Sequence, residues 1–312
     1  MGVDQPVTSS NRMVVRLHKY LKEMFPILPR TALGYLLFFE IFFLVGLTQG
    51  YGWLPITIGD VVAGFTIMAF LLTLRIADDF KDYDTDLTLF PDRALPSGRV
   101  HKKDLAVLLI ILDSITVIAN IIFVGNHVFF ALLVAYGFAM SFWFFQKYRI
   151  QRSLPLALIT HNPVQLVLNM YVISYACSRY GIPLLTWQNI LILFTLYFPG
   201  LVWEIARKVR APQDETDYVT YSKLFGVRTP VIVILVAMFL DAVMASILGF
   251  QLYWWTPIAI MGIYGVLVLV GILFLNNPKR FALVTPVSLY IYGAQGLMVV
   301  FLIARLAGIG VS

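Results

Sequence analysis

Apolar residues run along this chain in stretches of about twenty, separated by gaps of unequal length. A helix that crosses the hydrocarbon core of a membrane needs roughly 20 mostly apolar residues. The pattern predicts nine such helices, near 32–50, 56–77, 104–124, 127–146, 154–176, 189–207, 229–249, 257–275 and 286–308. Two gaps are long and charged, 78–103 and 208–228. Both follow even-numbered spans, so both lie on one side of the membrane. They stand four spans apart, which hints at a duplicated helical unit. No stretch fits a soluble domain. The expectation is an all-α polytopic membrane protein, with one nine-helix domain over 31–312 and an N-terminal segment over 1–30.

Within that segment, residues 12–25 predict a short amphipathic helix. Val14, Leu17, Leu21 and Met24 share one face, and Arg12, Arg16, Lys19 and Lys22 supply charge. A basic amphipathic helix reads as an anchor on a membrane surface. Residues 1–30 lack the short apolar core and small-residue cleavage site of a signal peptide.

Composition agrees with the spans. The chain is 60% hydrophobic and 13% charged, against about 25% charged residues in a soluble domain. Its one cysteine, Cys177, excludes an internal disulfide and argues against a cysteine metal site. The net charge of +6 does not point to nucleic acid, because the basic residues sit in short gaps between apolar stretches. With the nine-span topology, 20 of the 23 lysines and arginines fall on the side of the N-terminus; Arg75, Arg179 and Arg305 are the others. That bias predicts a cytosolic N-terminus and two cytosolic loops.

The first long gap opens on Asp78-Asp79-Phe80-Lys81-Asp82-Tyr83-Asp84-Thr85-Asp86. On a continuous helix Asp78, Asp82 and Asp86 fall at i, i+4, i+8, and Asp79 joins Asp82 and Asp86 at i, i+3, i+7, so several carboxylates share a face. Such charge repels itself unless a cation intervenes. Mg²⁺ suits the position, since it binds through few carboxylates and shares its other positions with water and phosphate oxygens. Pro91-Asp92-Arg93-Ala94-Leu95-Pro96-Ser97-Gly98-Arg99 follows. Arginine binds phosphate in bidentate fashion. Acid for a metal and base for phosphate on one loop is the chemistry of a diphosphate site.

These residues resemble the UbiA superfamily of intramembrane prenyltransferases. Its first motif reads N-D-x-x-D-x-x-x-D, followed by a segment like R-P-x-P-S-G-R. This chain carries Asp78 in place of the leading Asn and Ala94 in place of the first Pro, and neither change removes a metal ligand. The resemblance implies nine helices around a central cavity with cytosolic cap loops. It implies Mg²⁺ held by Asp78, Asp79, Asp82 and Asp86, an isoprenyl diphosphate substrate bound by Arg93 and Arg99, and an acceptor, aromatic or lipid-like. A minority of the superfamily are terpene cyclases, in which a double bond of the same prenyl chain captures the cation. The D-D-x-x-D spelling of residues 78–82 keeps that alternative open. A transporter is disfavoured, because the carboxylates gather at the rim of the spans rather than at the midplane.

The family's second motif, D-x-x-x-D after span 6, is absent. The chain instead reads Glu204-Ile205-Ala206-Arg207-Lys208, then Arg210, Asp214, Glu215 and Asp217. It resembles a subgroup whose second motif begins E-I-A-R-K. Glu204, Asp214 and Asp217 are the candidate metal ligands here, with Arg207, Lys208 and Arg210 as candidate phosphate cations. Span 5 adds His161, Asn162, Gln165 and Asn169, with Pro163 set to kink the helix. They form either a wall facing substrate or a set of interhelix hydrogen bonds. Glu40, Asp113 and Asp241 are isolated acids within spans, each expected to pair locally or face a cavity.

Overall fold

A computed structural model describes residues 12–215 and 219–309, and all the regular structure among them is helical. The helices are α1 (Met13–Met24), α2 (Ile27–Leu47), α3 (Ile58–Lys81), α4 (Tyr83–Leu89), α5 (Lys102–Ala119), α6 (His127–Ser141), α7 (Lys147–Gln151) and α8 (Leu154–His161). There follow α9 (Val164–Tyr180), α10 (Trp187–Thr195), α11 (Phe198–Ala206), α12 (Tyr221–Phe225), α13 (Arg228–Phe250), α14 (Thr256–Asn276) and α15 (Val284–Leu306).

Among the described residues, eight helical stretches are long and apolar enough to cross a membrane. They are α2, α3, α5 with the π-helical turn Asn120–Val124, α8 with α9, α10 with α11, α13, α14 and α15. The chain is a multi-pass membrane protein. Its apolar surface confirms the solvent it is built for: Ile110, Ile111, Ile115 and Ile118 on α5 are all more than half exposed.

The fourth predicted span, 127–146, is shorter. α6 stops at Ser141, 15 residues long. Trp143, Phe144 and Phe145 then adopt positive φ, at 53°, 49° and 59°. That region costs a side chain with a Cβ roughly 1–2 kcal/mol per residue. The Lys81 ammonium lies 4.6 Å from the Trp143 ring centroid, a cation–π contact that helps to hold the turn.

The chain folds as two compact units. The first comprises the residues up to Phe39 and Ile56–Phe145; the second comprises Glu40–Pro55 and the residues from Gln146 on. Each unit holds one of the long charged loops.

In the first unit α3 is the axis. Thr57 starts it with a capping box: the Thr57 hydroxyl accepts from the Asp60 amide, and the Thr57 amide donates to the Asp60 carboxylate at 2.6 Å. α3 packs against α5 and α6. A core of Tyr20, Phe25, Met68, Leu72, Ile76, Ala94, Leu95, Val100 and Leu105 joins α1, α3, the 91–100 loop and the start of α5. Leu17, Leu21 and Met24 pack against this core. The apolar face of α1, expected to meet a membrane surface, is therefore covered by protein over those residues. Val14 alone of the four predicted face residues is largely exposed. Gly98, at φ 75°, closes the 91–100 loop in a conformation that glycine adopts without strain.

The second unit packs α13 against α10, α11 and α14, and α15 against α11 and α14. Its core runs through Val202, Ile205, Ala206, Val231, Ile234, Met238, Leu267, Phe274, Val287 and Tyr290. α8 and α9 break at Asn162 and Pro163, as the proline predicts, since it has no N–H to give and its ring clashes with the carbonyl four residues earlier.

Candidate functional site

α3 runs four residues past its predicted end, so Asp78 and Asp79 are helical. Asp82 is not: it sits at φ −100°, ψ 7°, between α3 and α4. The expected single helical face of Asp78, Asp82 and Asp86 is therefore broken at Asp82. The break is small, because the Asp86 amide still donates to the Asp82 carbonyl at 2.8 Å.

The carboxylates differ in setting. Asp79 is buried, accepting from the Tyr20 hydroxyl at 2.6 Å and from the Arg75 guanidinium one turn back. Asp78 is partly exposed and pairs with Lys81 Nζ at 2.7 Å. Asp86 is buried, and Arg93 Nη1 donates to both its oxygens at 2.8 Å. The Arg93 guanidinium also lies 4.0 Å from the Phe90 ring centroid. Asp79 remains near enough to Asp78 and Asp86 to feel both charges. Burial, reinforced by the Asp79 charge, raises the pKa of the Tyr20 phenol well above its ordinary value, so it stays a donor.

Arg99 is the second predicted phosphate ligand. Its guanidinium grips Glu23 of α1 through two bonds, at 2.5 and 2.8 Å, and also donates to the Asp92 carbonyl and the Ser97 hydroxyl. Farther along α1, Arg16 makes a two-bond pair with Asp104, at 2.7 and 2.8 Å, where α5 begins. The hydrogen-bonded Asp104 carboxylate raises the Arg16 pKa.

An oxygen-only donor set of this kind fits a hard dication such as Mg²⁺. In the arrangement present, Asp78, Asp79 and Asp86 are turned to Lys81, Arg75 and Arg93. Among the described residues, no three His, Cys, Asp or Glu side chains are gathered closely enough to hold a metal ion. Sequence reasoning missed Arg75, Lys81, Tyr20 and Glu23 as partners. The signal for Tyr20 was present: with Leu17, Leu21 and Met24 it makes the i, i+3, i+4, i+7 stripe of one helix face.

The second loop neutralises itself locally. Glu204 accepts from Arg207 Nε at 2.5 Å and from Lys208 Nζ at 2.8 Å. Glu215, rather than Asp214, is the anchored carboxylate: it accepts from Thr220 Oγ1 at 2.7 and 2.8 Å and from Ser222 Oγ at 2.6 Å. Asp214 is exposed in a short 3₁₀ turn. The Arg210 amide donates to Ser222 Oγ at 2.8 Å. Asp217 lies outside the described residues.

In span 5, Gln165 Nε2 donates to Asn169 Oδ1 at 2.8 Å, and the fully buried Asn169 donates to the Leu193 carbonyl of α10 at 3.1 Å. Asn169 therefore serves helix packing. His161 Nδ1 lies 3.0 Å from Thr160 Oγ1 and 3.1 Å from the Ala157 carbonyl, and the buried Asn162 Oδ1 accepts no hydrogen bond. Of the isolated acids, Asp113 accepts from Thr73 at 2.6 Å, and Glu40 and Asp241 are buried within their spans.

No family model and no curated protein matches the chain. A solved structure of a digeranylgeranylglyceryl phosphate synthase in membranes is similar to it, with a TM-score of 0.64 at 10% identity. The match covers 94% of this chain and 99% of that one. At this identity the likeness shows the fold.

Proposed function

We propose that this chain is an intramembrane prenyltransferase of the UbiA type, which uses Mg²⁺ to ionise an allylic isoprenyl diphosphate and passes the prenyl group to an acceptor in the membrane. One observation carries the reading: a single segment, 78–99, holds the buried carboxylates Asp79 and Asp86 at the end of a membrane-spanning helix, with Arg93 paired to Asp86 and Arg99 following in the same loop. The likeness to a digeranylgeranylglyceryl phosphate synthase supports it, and a phosphate-bearing lipid joins an aromatic ring as a proposed acceptor. The bias of basic residues supports a cytosolic position for both loops.

Asp78, Asp79, Asp82 and Asp86 are the residues that would hold the metal. Bound Mg²⁺ supplies positive charge to the oxygens on which charge grows as the bond breaks. Arg93 and Arg99 exchange their carboxylate partners for diphosphate oxygens, a change that keeps each guanidinium paired with an anion of matching fork geometry. Cleavage of the allylic C–O bond leaves its electron pair on the diphosphate. The carbocation then bonds to a nucleophilic atom of the acceptor, which loses a proton. Arg207, Lys208 and Arg210 add cations from the second loop, and Glu204, Asp214 and Asp217 are its candidate carboxylates.

The test is direct. Purified protein is incubated with geranyl, farnesyl and geranylgeranyl diphosphates and Mg²⁺, with and without aromatic or glyceryl phosphate acceptors, and free diphosphate and lipid products are measured. Release that depends on acceptor is expected. A cyclic hydrocarbon formed without acceptor overturns the transfer step, and no release under any combination overturns the enzyme reading.

A further inference from the structure

Arg16, Tyr20 and Glu23 fall at i, i+4, i+7, so one stripe of α1 faces segment 78–99 and the start of α5. Each residue of the stripe makes a polar contact there. Arg16 takes Asp104, Tyr20 takes Asp79 and Glu23 takes Arg99. The contacts are not equivalent. Tyr20 and Asp79 are buried, and Arg16 and Asp104 are 12% and 5% exposed. Arg99 and Glu23 are 31% and 34% exposed. Two contacts hold the helix down; the third is open to solvent.

We infer that α1 is a strap over the diphosphate site, in which Tyr20 is a positioning residue for Asp79 and Glu23 is a stand-in anion on Arg99 that diphosphate displaces. The inference rests on the reading of segment 78–99 as a diphosphate site. Three physical points carry it. First, the Tyr20 hydroxyl fixes one oxygen of Asp79, and such outer partners orient metal-binding carboxylates. Second, a carboxylate and a phosphate present the same two-oxygen edge to a guanidinium, so Glu23 occupies Arg99 as a phosphate would. Third, exposed ion pairs are weak, so a more highly charged anion can take Arg99 while the two buried contacts keep α1 in place. The fold needs no Glu23 for packing, since the apolar residues of α1 already join the core.

The experiment uses the full chain in detergent and two variants, with inorganic diphosphate as the probe. Calorimetry gives its Kd at fixed Mg²⁺, and a Mg²⁺ titration at fixed diphosphate gives the metal requirement. Glu23→Gln is expected to bind diphosphate about threefold to fivefold more tightly, the worth of an exposed pair. Tyr20→Phe keeps the buried ring but loses the hydrogen bond. It is expected to need about tenfold more Mg²⁺ for half-maximal binding, with its Kd at saturating Mg²⁺ unchanged. Unchanged or weaker diphosphate binding in Glu23→Gln overturns the stand-in role. An unaltered Mg²⁺ titration in Tyr20→Phe, or a loss of binding that saturating Mg²⁺ does not restore, overturns the positioning role. If the unmodified chain neither binds inorganic diphosphate nor releases it from a prenyl donor, the functional reading fails and the strap falls with it. Release by the unmodified chain with unshifted variants sinks the strap alone.

Discussion

In the first acidic loop, charges are matched across elements: α1 reaches Asp79 and Arg99, and Arg93 reaches back from the turn to Asp86 in α4. In the second, the ion pairs close within one turn, Glu204 with Arg207 and Lys208, and Glu215 is held by the neutral hydroxyls of Thr220 and Ser222. The first arrangement ties four segments together around two buried carboxylates. The second is a locally closed circuit with its main ion pair partly exposed. Buried, cross-braced groups are costly to disturb and well placed, while neighbouring pairs at a helix end cost little to rearrange. On the proposed function, the contrast would put the chemistry in the first loop and give the second an auxiliary electrostatic role.

The largest effect expected is from Asp86→Ala. It removes a candidate ligand and leaves the Arg93 guanidinium without its carboxylate, so diphosphate release should fall about a hundredfold or more. Retained activity would remove the first loop from the chemistry. Glu204→Gln should cost about tenfold, mostly as a raised KM, because it removes a candidate metal ligand of the second loop, a loss larger than the gain from freeing Arg207 and Lys208, without touching the first loop. A loss equal to that of Asp86→Ala would make the loops equals and end the contrast. Ser222→Ala breaks the bonds to Glu215 and to the Arg210 amide; it should lower stability by about 1 kcal/mol and activity only a few fold, read from a melting curve beside the assay. The smallest effect on activity is expected from Asn120→Ala. It removes the buried bond to Thr66 Oγ1 at 2.8 Å, so the melting temperature should drop while KM for the prenyl donor stays put. A shifted KM would tie the packing of α3 to the site.

Much of this was legible in the residues. Spans of twenty apolar positions are hard to hide, and Asp78, Asp79, Asp82 and Asp86 announce themselves by spacing and by the arginines that follow. What could not be read were the partners. An amphipathic stripe such as that of α1 records that a helix has an apolar face, not whether lipid or protein covers it. Tyr20 looks like one more aromatic in such a stripe until α3 is placed against it. The break at Asp82 is a backbone event with no glycine or proline to mark it. The end of α6 at Ser141 is equally silent, since Trp143, Phe144 and Phe145 are as apolar as the helix they terminate. Asn169 illustrates a third limit, because a polar residue within a span suits a substrate wall and a helix contact alike, and only its bond to the Leu193 carbonyl decides.

The pair of hydrogen bonds from Arg93 to Asp86 also has a thermodynamic side. Opening it strands a guanidinium and a carboxylate at once. An anion arriving alone satisfies only Arg93, and a metal ion arriving alone satisfies only Asp86. The lone anion leaves the buried Asp86 charge unanswered, and that penalty subtracts from its affinity. A ligand bringing both charges answers both groups and pays the opening cost once. On the proposed function, metal and diphosphate would therefore strengthen each other's binding by the same factor, as linkage requires.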